Sequence, residues 1–97
     1  MYARMSRRTR NEPRAKEVRE HDEREYLPKL RRAPGFVAGY LIADGADNVG
    51  VQIWESKAHA DAFKDVQEAW GRTQDEHGIR LVSAWGGEVI GHSSPEK

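Results

Sequence analysis

The period of the apolar positions changes several times along this chain, and each change marks an element. Tyr2 to Arg8 alternates and predicts a strand. Asn11-Glu12-Pro13 supplies a capping residue, an acid and a first-turn proline, and so predicts a helix start. That helix runs from about Pro13 to Arg32, with a kink expected at Pro28, and Pro34-Gly35 ends it. Phe36 to Ala43 is rich in strand formers, Asp44 to Asn48 is turn chemistry, and Val49 to Trp54 alternates again, which together predict a hairpin. Ser56 is a good N-cap for a second helix over about Lys57 to His77, closed by Gly78. Ile79 to Ile90 reads as a last strand, with a bulge expected at Gly86-Gly87.

The order β-α-β-β-α-β predicts an α+β, ferredoxin-like fold: a four-stranded antiparallel sheet with two helices on one face. The hairpin strands are apolar on both sides. Phe36, Ala38, Tyr40 and Ile42 alternate with Val37, Leu41 and Ala43, while Val49, Val51 and Ile53 oppose Gly50, Gln52 and Trp54. An antiparallel sheet with two apolar faces has both of them covered. The helices cover one, and a second copy of the sheet is the simplest cover for the other, so a homodimer is expected.

Composition adjusts this picture in three ways. Ninety-seven residues make one domain, read as residues 1–92 with a polar tail at 93–97. Leu, Ile, Val and Phe account for only 17 of the 97 residues, so three Trp and three Tyr must supply much of the buried surface. There is no cysteine, no apolar run of membrane-spanning length and no apolar core of a secretory signal, so a cytoplasmic protein without a membrane partner is expected. The zero net charge divides into +5 over residues 1–32 and −5 over residues 33–97. Arg7, Arg8, Arg10 and Arg14 have no interleaved aromatics and no nucleic-acid motif beside them, so a solvated charged segment is expected and nucleic acid is not.

Two phrases carry a resemblance. A helix ending in Pro34-Gly35-Phe36, a hairpin, and a strand closing on Trp54-Glu55-Ser56 before an amphipathic helix resemble the dimeric α+β barrel superfamily. Within it the chain is similar to the antibiotic-biosynthesis-monooxygenase-like (ABM) domains over about residues 1–92. The resemblance implies two sheets packed face to face, helices outside, and a pocket between sheet and helices in each subunit. Members include cofactor-independent monooxygenases acting on polyketide aromatics, haem-degrading enzymes and small proteins of unknown activity. The haem-degrading members pair an Asn on the first strand with a His on the second helix. Here the first strand reads Tyr2-Ala3-Arg4-Met5-Ser6, without Asn, which argues against haem degradation.

Candidate chemistry lies on the two helices. Ala15, Val18, Asp22, Tyr26, Leu30 and Ala33 form one stripe, which makes Asp22 a carboxylate on an inward face. Such a group is costly unless paired: either it serves a site, with Arg19 near it, or it pairs with Arg19 or Arg4, or it sits exposed where the helix overhangs the sheet. On the second helix His59, Phe63, Val66, Trp70, Thr73 and His77 share a face. Phe63, Val66 and Trp70 read as core or pocket wall. His59 and His77 are about 27 Å apart on a straight helix and cannot share a metal, and His77 also suits a helix C-terminus. Trp54, Trp85, Tyr40 and Tyr26 are core residues or cavity linings with a polar tip. The catalytic candidates are therefore Asp22, Arg19 and His77. The binding candidates are Arg4, Tyr26, Tyr40, Trp54, Phe63, Val66, Trp70 and Trp85.

No phosphate loop, nucleophile elbow or His-x-x-x-His pair occurs, and His21 with Glu25 is a lone i, i+4 pair, so no metal or cofactor is implied. Three functions follow. One is a cofactor-independent monooxygenase-like protein binding a small aromatic or polyketide-like molecule, with Asp22 or a histidine as base and Arg19 or Arg4 facing the developing oxyanion. The second is a non-catalytic dimeric ligand-binding, stress or accessory module. The third is an isomerase or decarboxylase using the same base and oxyanion groups.

Overall fold

The structure is a computed structural model and describes residues 1–10 and 19–95. The predicted helix start at Asn11-Glu12-Pro13, and the stripe positions Ala15 and Val18, lie outside the described residues. Strand β1 spans Tyr2–Thr9. The first crossover helix contains a π-helical turn, Asp22–Tyr26, followed by α1, Leu27–Arg32. Strands β2 (Phe36–Asp44) and β3 (Asp47–Trp54) form the hairpin. The second crossover is α2 (Lys57–Ala62) and α3 (Lys64–Glu76), and β4 spans Arg80–Glu88. The strands pair antiparallel in the order β2-β3-β1-β4, so the chain has the ferredoxin-like α+β arrangement.

Both joints form as the sequence suggests, and they meet. Gly35 takes a left-handed φ of 78°, and its carbonyl accepts the Glu55 N–H at 2.8 Å. Ser56 Oγ caps α2 by accepting the His59 N–H at 3.2 Å and also lies 2.7 Å from His59 Nδ1. The His59 ring rests on Gly35: a Cβ there would fall 2.2 Å from its Cγ. Helix end and strand end are thus pinned to each other.

Packing alters several local expectations. The first helix does not simply kink at Pro28. Its ladder widens just upstream, where the Leu27 N–H reaches the Asp22 carbonyl five residues back. The second helix breaks at Phe63, whose φ and ψ of −88° and −1° turn the ring inward, 5.3 Å from Trp54 and 6.1 Å from Tyr26. The hairpin turn shrinks to Gly45-Ala46. A register shift at Phe36/Ala38 turns Phe36 toward the helices, so it does not share a face with Ala38, Tyr40 and Ile42. In β4 the irregularity lies opposite Arg7/Arg8, not at Gly86-Gly87. Gly86 pairs regularly, and its missing side chain makes room for the Tyr2 hydroxyl, which a Cβ would meet at 2.4 Å.

Tyr2, Tyr26, Leu30, Trp54, Ala60, Phe63 and Trp70 form the core between sheet and helices. The aromatic rings supply what the short supply of aliphatics cannot. The opposite face of the sheet is open: Tyr40, Ile42 and Trp85 are 61%, 54% and 64% exposed. No helix among the described residues is long and apolar enough to cross a membrane.

Candidate functional site

Alternation in β1 sends Tyr2, Arg4, Ser6 and Arg8 toward the helices, and the register sets them beside Trp54, Gln52, Gly50 and Asn48 of β3. The small residues Ser6, Gly50 and Gly39 leave the middle of this face low. A cavity of about 610 Å³ lies above it, with Arg4, Arg8, Tyr26, Gln52, Gln67 and Trp70 among its walls. A second cavity of about 290 Å³ shares Arg8 and Trp70 with the first and adds Arg19, Asp22 and Gln74.

A directed hydrogen-bond network lines the larger cavity. The Trp54 indole can only donate, and its Nε1 donates to Gln52 Oε1 at 3.1 Å. Gln52 Nε2 therefore faces the other way and donates to the Tyr26 hydroxyl and to Gln67 Oε1, both at 2.7 Å. Tyr26 passes its own proton to Gln67 Oε1 at 2.6 Å. Burial pushes the Tyr26 phenol well above its ordinary pKa, so it stays neutral and keeps donating.

Asp22 occupies the smaller cavity's wall. It is 6% exposed, and one oxygen accepts the Trp70 indole N–H. The Trp70 ring in turn stacks on Tyr26 at 4.2 Å. Burial pushes the Asp22 carboxyl up to about 6 from 3.8. The Trp70 hydrogen bond and His21 pull it down and Glu23 raises it, but desolvation prevails. Among the described residues Asp22 has no salt bridge to Arg19 or Arg4, and it is not exposed; of the three alternatives the carboxylate is left on a cavity wall with the indole as its partner. Arg4 instead donates to Asp61 Oδ1 at 3.0 Å and to the Ala60 carbonyl at 3.3 Å. Arg19 is exposed but shares the smaller cavity with Asp22.

The remaining candidates divide. Trp54 is 0% exposed and Phe63 7%, and both belong to the core rather than to either cavity wall. Val66 packs half-buried against that core. Tyr40 follows the outward-facing phase of β2, and although it borders the larger cavity its ring is largely exposed. Trp85 pairs with Met5 on the outward face and lines neither cavity. His77 caps α3, its Nδ1 2.8 Å from the Thr73 carbonyl, and stands outside both cavities. A helix-terminal role accounts for it.

Gln52, Gln67 and Gln74 were not singled out in the sequence, and Arg8, expected in a solvated charged segment, is instead buried at 9% exposure because alternation turns it toward the helices. Gln67 and Gln74 each lie four residues beyond an inward aromatic, Phe63 and Trp70, and α3 buries Trp70, Gly71 and Gln74. Gln52 shares its phase with Trp54, and Arg8 with Tyr2, which is the signal that marks them.

No family model matches the chain, and no curated protein matches its sequence. Solved structures do match in shape. A Deinococcus radiodurans protein that carries the antibiotic biosynthesis monooxygenase name superposes with a TM-score of 0.81 at 9% identity, over 100% of both chains. Rv0793 from Mycobacterium tuberculosis gives 0.74 at 16% identity, covering 96% of this chain and 98% of its own. A monooxygenase from the gene ActVA-Orf6 of Streptomyces coelicolor, in complex with the ligand nanaomycin D, gives 0.69 at 13% identity, over 98% and 92%. The ferredoxin-like sheet and its two crossovers are thus those of an ABM-like fold.

Proposed function

We propose that the protein binds a small aromatic molecule between sheet and helices and oxidises it with molecular oxygen, without a cofactor. The observation that carries this reading is Asp22: a desolvated carboxylate held by Trp70 in a cavity wall, with a pKa of about 6 that leaves it ionised and basic at neutral pH. It removes a proton from an acidic C–H or O–H, and the substrate anion then reacts with oxygen. Oxidation of an activated methylene balances without an external reductant: CH2 and O2 give C=O and H2O. Arg19, in the same cavity wall as Asp22, offers positive charge to the developing oxyanion, and the Gln52–Tyr26–Gln67 network fixes the aromatic wall. The S. coelicolor neighbour, solved with nanaomycin D, supports a cavity of this kind.

Oxygen uptake on a panel of hydroxyquinones and naphthols tests the reading. Turnover should fall by about two orders of magnitude in Asp22→Asn, the scale of a lost general base. Ligand binding with no uptake, and no effect of Asp22→Asn, would favour the non-catalytic module.

We also propose that the open sheet face is covered by a second copy of the chain. Met5, Tyr40, Ile42 and Trp85 present a contiguous apolar surface on β1, β2 and β4, with Val49, Val51 and Ile53 of β3 between them. A homodimer of this kind buries them without disturbing the helices.

A further inference from the structure

We propose that Gln74 and Arg8 form a polar subsite in the smaller cavity that receives a hydroxyl group of the ligand. This rests on the reading of the cavities as an aromatic-binding site. Gln74 is only 4% exposed, yet its amide makes no hydrogen bond with any described residue, and its Oε1 is sealed from solvent without a partner. Arg8 is 9% exposed; its Nη1 donates to Asp75 Oδ1 at 3.2 Å and to the Ile79 carbonyl at 3.1 Å, but its buried Nε donates to nothing among the described residues. Both side chains line the same cavity. Leaving a buried acceptor and a buried donor unmade is costly, and such pairs persist where something else fills them.

The local backbone is adapted to hold the guanidinium. Gly71, buried in the middle of α3, is a poor helix former, but a Cβ there would lie 3.0 Å from Arg8 Nη2. The glycine keeps that space clear.

The two unpartnered atoms differ in kind, one accepting and one donating, and both lie just beneath the cavity wall, so a ligand meets them as the two side chains turn into the cavity. A hydroxyl is the smallest group that answers both: its lone pair takes the Arg8 Nε–H and its proton goes to Gln74 Oε1. A carbonyl would answer Arg8 alone. A carboxylate would set its charge against Asp22, Asp75 and the Gln74 oxygen, while the Arg8 charge is already met by Asp75. The subsite thus selects phenols and alcohols over acids.

The test compares 1-naphthol, its near-isostere 1-fluoronaphthalene, and 1-naphthoate, titrated into the full chain and followed by the indole N–H resonances. Wild type should bind the naphthol about tenfold more tightly than the fluoro compound, and the naphthoate no better than the fluoro compound. Gln74→Met, which conserves volume, should erase the naphthol advantage while leaving 1-fluoronaphthalene affinity within about twofold. Equal binding of naphthol and fluoronaphthalene to wild type would remove the subsite while the aromatic-binding reading stands. No binding of any probe would remove both. Tightest binding of the naphthoate would make Arg8 an anion site and overturn the hydroxyl assignment. A Gln74→Met protein that melts higher but keeps the naphthol preference would reduce Gln74 to packing. The ranking in wild type decides even if the variant does not fold.

Discussion

Asp22 shows how a single side chain couples chemistry to stability. Its folded carboxyl is raised to about 6, against 3.8 for an ordinary aspartate, because burial disfavours the charge more than the Trp70 N–H supports it. Between about pH 4 and 6 the native state holds a proton that the unfolded chain has released, so stability falls as pH rises through that window. Above it the protein carries a penalty on the order of 3 kcal/mol. Asp22→Asn keeps an oxygen for the indole and removes the charge. Denaturation at pH 7.5 should therefore find the variant more stable by about that amount, with a flatter profile from pH 4 to 6. The same substitution should lower turnover by about two orders of magnitude. A gain in stability with a loss of activity is the signature of a group strained for function.

At the scale of elements, the joints decide where helices and strands point. Gly35→Ala forces a Cβ into both a left-handed backbone and the His59 ring. It should cost about 2 kcal/mol or more by chemical denaturation, beyond the 1–2 kcal/mol of backbone strain alone. Adding His59→Ala should recover only the steric share, which a double-mutant cycle measures. These joints are why the element order was legible: Pro, Gly and Ser act locally. The π turn, the break at Phe63 and the two register shifts were not, because each answers to packing between distant residues. The site divides in the same way. Asp22, Tyr26 and Trp70 stood out on apolar stripes, where a carboxylate or a ring is informative. Gln52, Gln67 and Gln74 did not, since a buried glutamine and a solvated one look alike until the partner strand or helix is known.

For the molecule as a whole, the open sheet face is the dominant feature. Trp85, at 64% exposed, leaves most of its ring uncovered in one chain and sits where a second sheet would pack. Sedimentation should give a species of twice 11.0 kDa, and Trp85→Glu should shift it to a folded monomer with unchanged far-ultraviolet dichroism. A wild-type protein that stays at 11.0 kDa at high concentration would remove the proposed dimer.

None of Gly35, Glu55 and His59 touches either cavity. The clamp that orients the scaffold and the walls that meet a ligand are therefore separate inheritances. Wall residues outside the aromatic core, such as Gln67 and Gln74, can be exchanged without touching that clamp, and a shape shared with a Deinococcus protein at 9% identity carries no record of what either one binds. Specificity in such proteins must be read wall by wall, and it can also be redesigned there, with the clamp left untouched.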